Sequence, residues 1–154
     1  MSPRVGDVAP DIDCLAHDGK PFRLADHRGQ RNVVLFFYPR AFTAGCTAEV
    51  CSFRDAYEDL RGKDTEIVGV STDATAKQAD FASAHRVPYP LLPDADGKVS
   101  KAYGALGLLR SVLGFAKRVT YVIDKQGIVR GVFHHELDIK QHLVDVQKTL
   151  SQLA

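Results

Sequence analysis

The sequence predicts an α/β fold built on a mixed β-sheet, and three observations carry that prediction. "NVVLFFY" (32–38) and "TEIVGVST" (65–72) are continuous apolar, β-rich runs, as strands covered on both faces require. Each is followed by a stretch of helical period, clear over 46–61 and weaker over 74–86. Near the end, "RVTYVID" (118–124) and "IVRGVFH" (128–134) flank Lys125-Gln126-Gly127 as a hairpin, and a helical segment closes the chain. The order βαβα then ββα joins a parallel strand pair to an antiparallel one, which gives an α/β sandwich.

The elements follow in order. "DIDCLA" (11–16) and "KPFRLAD" (20–26) flank Asp18-Gly19 and predict a small N-terminal β-hairpin. In 46–61, Val50, Phe53, Tyr57 and Leu60 share one stripe with Cys46. "VPYPLLPD" (87–94) is punctuated by proline and reads as irregular. Over 138–153, Ile139, Leu143, Val146, Leu150 and Leu153 recur at three- and four-residue steps, an amphipathic helix. This is the thioredoxin-like arrangement, and with no repeat or linker in sight one domain is expected over 1–154.

Charge and composition exclude several functions. Twenty basic and nineteen acidic residues leave a net charge of +1, too little to draw nucleic acid or an anionic membrane. No apolar stretch approaches the ~20 residues of a membrane span, and the first ten residues hold no signal-like apolar core. Three cysteines are an odd number and too few for a secreted disulfide framework. A cytoplasmic protein is expected, where a close cysteine pair is redox-active or catalytic more often than structural.

Two of those cysteines, Cys46 and Cys51, open the 46–61 helix. A helix N-terminus offers unpaired N–H groups and partial positive charge, which favours a thiolate at Cys46. Thr43 is placed as N-cap, its hydroxyl also within reach of a polar substrate. Cys51 lies ~140° around the helix and ~7.5 Å along it, so the two Cα atoms stand about 8–9 Å apart. That exceeds the ~7 Å limit for a disulfide. No second cysteine pair completes a zinc site. Two readings stay open: two small buried side chains, or a pair that meets when the first turns unwind. The second suits a Cys46 first oxidised to sulfenic acid, which condenses with a thiol.

"PRAFTAGC" (39–46) resembles the peroxiredoxin pattern PxxxTxxC, and "FYPRAFTAGCTAEVCSFRD" (37–55) is similar to the bacterioferritin comigratory protein, or peroxiredoxin Q, subfamily. The resemblance extends through "VGDVAPDIDCLAHDGKPFRLAD", "GVSTD", "YPLLPDADGKVSKAYG" and "KRVTYVID" to nearly the whole chain. It implies a thiol-dependent peroxidase acting on hydrogen peroxide or organic hydroperoxides, without metal or cofactor. Cys46 is then the peroxidatic nucleophile, with Pro39, Thr43 and Arg118 completing the active-site set. Glu49 matches a carboxylate beside the arginine, and Cys51 matches the resolving cysteine. The resemblance further implies a Cys46–Cys51 disulfide, thioredoxin or glutaredoxin as reductant, and a monomer or weak homodimer. Tyr121 stands where the family usually has phenylalanine.

The chemistry asks for the same residues. A thiolate attacks one peroxide oxygen and the other leaves as an oxyanion, so the site needs a permanent positive charge and aimed donors. Arg118 suits the charge, Thr43 and the helix N–H groups suit the donors, and Pro39 shields the sulfur. The rivals are a one-cysteine peroxidase, a non-enzymatic redox sensor, and a disulfide oxidoreductase, for which C-x4-C is the wrong spacing.

Other features carry less. Cys14 reads as a buried core thiol. His134, His135, Glu136 and His142 suggest a metal, but adjacent strand residues face opposite ways. "DADG" (94–97) reads as a turn. "GALGLLRSVLGFAK" (104–117), apolar and just before Arg118, is expected to present a docking surface for a partner subunit or reductant.

Overall fold

The computed structural model describes residues 2–106 and 116–153. It opens on an antiparallel hairpin of β1 (Asp13–Leu15) and β2 (Pro21–Arg23), turned at Gly19, where φ is +81°. A 3-10 turn over Leu24–His27 ends the predicted 20–26 segment. Five strands then form the main sheet: β3 (Asn32–Phe37), β4 (Thr65–Ser71), β5 (Leu91–Pro93), β6 (Val119–Ile123) and β7 (Val129–His134), in the order β5-β4-β3-β6-β7. β3, β4 and β5 run parallel, while β6 and β7 are antiparallel to their neighbours. The mixed sheet is as expected.

Period two in β3 explains why the run is apolar throughout. Val33, Leu35 and Phe37 enter one core, with Ile12, Phe22, Tyr103 and Tyr121. Val34, Phe36 and the following Tyr38 enter the other, with Phe53, Phe81, Tyr89 and Val146. The second core is roofed by α1 (Ala44–Arg61), α2 (Thr75–Ala84) and α4 (Ile139–Leu153); a short α3 (Lys98–Ala102) lies between β5 and β6 in the chain. Phe36 and Phe53 stack at 4.7 Å and tie α1 to the sheet.

Several expectations need adjustment. α1 begins two residues before Cys46, and Tyr57, placed on the buried stripe, is only half-buried, its hydroxyl accepting from Arg61 Nη1 at 2.9 Å. β5 was hidden inside "VPYPLLPD". The strand survives its prolines because it pairs with β4 over three residues only, from Gly69↔Leu91 to Ser71↔Pro93. "DADG" is the expected turn, and Asp94 also accepts from the Val99 and Ser100 N–H groups that open α3.

Register brings distant segments together. Phe37 pairs with Val119, and Val119 pairs with His134. The end of β3, the start of β6 and the end of β7 therefore share one edge of the fold.

Candidate active site

The chain leaves β3 through a tightly held loop. Tyr38 donates its hydroxyl to Gln78 Oε1 at 2.5 Å, and Ala41 N donates to Asp73 Oδ2 at 2.7 Å. Asp73 also accepts from Ser71 Oγ at 2.7 Å and lies 3.4 Å from Lys77 Nζ. Phe42 follows at φ +65°, uncommon for a bulky residue, and packs on Phe81 with ring centroids 5.0 Å apart. This loop sets where α1 starts.

Thr43 occupies the N-cap position, with extended backbone, but its hydroxyl makes no capping bond. It donates instead to the Arg40 carbonyl at 2.8 Å. Its hydrogen is thereby engaged, and the Oγ lone pairs remain as acceptors. Pro39 is half-buried at the start of the same loop.

Cys46 sits in the first turn of α1 and is fully buried. Arg118, one residue before β6, reaches it across the register just described: Nη2 lies 3.5 Å from Sγ. Nη1 donates to Glu49 Oε1 at 2.9 Å, one turn along α1, and Nε donates to the Glu136 carbonyl at 3.3 Å. The Arg118 backbone N–H is taken by Glu136 Oε1 at 3.2 Å. Gly45 makes room for this approach, since a Cβ there would stand 3.1 Å from Arg118 Nη2. A guanidinium held by Glu49 and by the Glu136 carbonyl is thus aimed at one sulfur.

The electrostatics follow from burial. Burial pushes the Glu49 carboxyl up to about 8, against the pull of Arg118. Burial opposes the Arg118 charge too, but Cys46 and Glu49 more than offset it and its pKa is raised. Glu49 Oε2 is buried and has no hydrogen-bond partner among the described residues.

The structure joins Cys46, Glu49 and Arg118, and places Pro39 and Thr43 on the loop beside them. Cys51 is half-buried in the unbroken α1, and all three cysteines are free thiols. Cys14 is half-buried as well, not fully as expected. Burial raises its pKa and Asp94, Asp13 and Asp96 add to that, which makes it a poor nucleophile. His135 faces Asp145 Oδ2 at 2.6 Å, while His142 lies inside the core. Among the described residues no group of three His, Cys, Asp or Glu side chains is placed to hold a metal ion, and no helix is long and apolar enough to cross a membrane. Most of the expected docking segment, 107–115, lies outside the described residues; its flanks meet where Lys117 N donates to Ala105 O at 2.6 Å. A cleft of about 710 Å³ lies at the other end of the sheet, lined by Asn32, Lys63, Asp124 and Arg130, away from the sulfur.

Asp73, Gly45, Glu136 and His142 were not singled out as parts of the Cys46 site. Asp73, Glu136 and His142 leave no trace in motif spacing because they reach the site through loop geometry or strand register, while Gly45 lies inside the motif but shows its purpose only once Arg118 stands against it.

Comparisons with known proteins agree with this geometry. The AhpC/TSA family matches residues 5–132. Peroxiredoxin Bcp of Bacillus subtilis (strain 168) is 32% identical over 158 residues, covering all of this chain and 99% of that protein. The chloroplastic peroxiredoxin Q of Arabidopsis thaliana is 39% identical over 145 residues, covering 94% of this chain and 66% of that protein. The chain therefore spans about two thirds of the plant relative's length. The crystal structure of peroxidoxin BcpB from Mycobacterium tuberculosis superposes with a TM-score of 0.89 at 38% identity, over 99% of both chains.

Proposed function

The chain belongs to the peroxiredoxins of the AhpC/TSA family, and we propose from that membership and its buried cysteine–arginine pair that it is a thiol-dependent peroxidase. The observation that carries the reading is Arg118 Nη2 at 3.5 Å from Cys46 Sγ, inside a site whose burial would otherwise penalise charge.

The Cys46 thiolate attacks the near oxygen of hydrogen peroxide or an organic hydroperoxide along the O–O axis. The S–O bond forms as the O–O bond breaks, the sulfur is oxidised to sulfenic acid, and the departing oxygen takes a proton to leave as water or alcohol. Arg118 supplies a charge that no accessible pH removes, shared between sulfur and the developing oxyanion. Thr43 Oγ accepts from the peroxide O–H, and the α1 N–H groups add donors. Pro39 supplies no N–H and helps to screen the sulfur.

Cys51 is the resolving thiol. At helical spacing it stands beyond bonding range, so the first turns of α1 unwind before its thiolate attacks Cys46 Sγ and expels hydroxide. A dithiol protein, thioredoxin or glutaredoxin, then reduces the Cys46–Cys51 disulfide by exchange. The whole cycle belongs to one domain, a cytoplasmic monomer or weak homodimer.

Stopped-flow mixing with hydrogen peroxide tests the activity, with thioredoxin and its reductase recycling the enzyme. A rate no faster than that of free cysteine, or activity surviving in Cys46→Ser, would sink the reading. Mass spectrometry after one equivalent of peroxide tests the resolving step: an internal disulfide supports it, and persistent sulfenic acid leaves a one-cysteine peroxidase.

A further inference from the structure

We propose that His142 is a positioning residue for the Cys46 reaction, a buried imidazole that stands behind both supports of the Arg118 guanidinium. The proposal rests on the peroxidase reading above and extends it to a residue outside the motif.

Among the described residues the Arg118 side chain has three partners: the sulfur, Glu49 through Nη1, and the Glu136 carbonyl through Nε. The last two hold the guanidinium in place, and His142 touches the structure behind each. Its Nε2 lies 3.7 Å from Glu49 Oε2, the carboxyl oxygen with no hydrogen-bond partner among the described residues. The same Nε2 lies 2.8 Å from the carbonyl of His135, the residue before Glu136. A carbonyl only accepts, so Nε2 carries the hydrogen. Nδ1 is then left to accept from Thr120 Oγ1 at 2.8 Å. Thr120 is itself on β6, two residues after Arg118. One ring therefore links α4, the β7–α4 connection, β6 and the carboxylate on α1.

Burial fits this role. His142 and Glu49 have no exposed surface, and burial lowers the imidazole pKa, which favours the neutral ring that donates from one nitrogen and accepts at the other. A buried histidine could be mere packing. Packing alone does not call for both nitrogens to be engaged and the N–H edge to face a buried carboxyl oxygen that has no other partner among the described residues. Without the imidazole, Glu49 Oε2 loses the polar edge it faces and the 135–136 backbone loses one of its ties. The guanidinium then drifts from the sulfur, and small misplacements of a catalytic group are costly.

The test compares His142→Leu with His142→Gln, whose amide N–H replaces Nε2–H, in the wild-type and Arg118→Met backgrounds. Two rates are read: peroxide reduction, and alkylation of Cys46 by iodoacetamide followed by mass spectrometry, which needs no peroxide chemistry. His142→Leu should slow both by about tenfold or more, and His142→Gln should recover to within about threefold of wild type. In the Arg118→Met background neither substitution should matter further, because the group being positioned is gone. An equal loss from His142→Leu in that background, or no recovery by His142→Gln, would overturn the proposal in favour of packing. Should His142→Leu not fold, Thr120→Val frees the ring without opening a cavity and must show the same dependence on Arg118. If alkylation follows this pattern while wild type fails to reduce peroxide, the positioning role stands and the peroxidase reading falls.

Discussion

Arg118 Nη1 and Glu49 Oε1 stand 2.9 Å apart with their side chains only 8% and 1% exposed, so the charge that faces Cys46 is braced by a carboxyl group cut off from water. Pairs in such a place are expensive to break by removing one partner. Geometry at this arginine is therefore worth more than charge alone. Arg118→Lys keeps the charge but loses the rigid fork, and the second-order rate with hydrogen peroxide should fall by about 10²-fold. A lysine variant within threefold of wild type in stopped-flow assays would show that charge alone suffices.

The raised pKa of Glu49 makes stability depend on pH. Between its ordinary value of 4.5 and about 8, the folded chain holds a proton that the unfolded chain has released. Stability from this group is complete below the first value and is lost as pH rises through the second. His142 acts in the opposite direction: its lowered pKa contributes stability above 6.5 that is lost as pH falls below that value. Urea unfolding across neutral to mildly alkaline pH should show wild type weakening while Glu49→Gln stays flatter. Parallel curves for the two proteins would remove Glu49 as the cause.

Gly45→Ala separates stability from activity. Alanine favours a helix by up to about 1 kcal/mol over glycine, so the melting temperature should hold or rise. The new Cβ meets Arg118 Nη2 at 3.1 Å and pushes it off its line to the sulfur, so peroxide reduction should slow severalfold. A variant as fast as wild type would mean the guanidinium has slack there.

Tyr89 donates its hydroxyl to the Val50 carbonyl at 2.7 Å, one residue before Cys51, and clasps α1 in the stretch that the proposed resolving step unwinds. Tyr89→Phe removes about 1 kcal/mol of that clasp, and Val50 keeps its place in the helical ladder. The internal disulfide should then form several times faster after a peroxide pulse, with the sulfenic acid step unchanged. Slower or unaltered disulfide formation, followed by rapid quench and mass spectrometry, would place the opening elsewhere.

Much of this was legible in the residues, for identifiable reasons. β3 and β4 announce themselves because strands covered on both faces need apolar side chains at every position, from Val33 to Phe37 and from Ile67 to Val70. β5 did not, because its three residues, Leu91 to Pro93, directly follow Pro90 and are held by pairing and by Leu91 N–H donating to His17 Nδ1 at 3.1 Å. Cys46, Glu49 and Arg118 stood out by motif. The direction of the Thr43 hydroxyl was hidden, since it follows from a loop bent at Phe42. Glu136 and His142 were hidden for a related reason: Glu136 meets Arg118, and His142 the groups that support it, only once β6 and β7 have paired.

That pairing has a consequence for how the chain matures. Cys46 precedes Arg118 by 72 residues, and the two meet through the Phe37↔Val119 register. During synthesis the sulfur emerges well before its cation, and the two face each other only once β6 docks against β3. On the proposed mechanism the activating cation arrives only with the completion of folding, so a chain still being made, or one stalled partway, should be spared the oxidation that the finished protein undergoes.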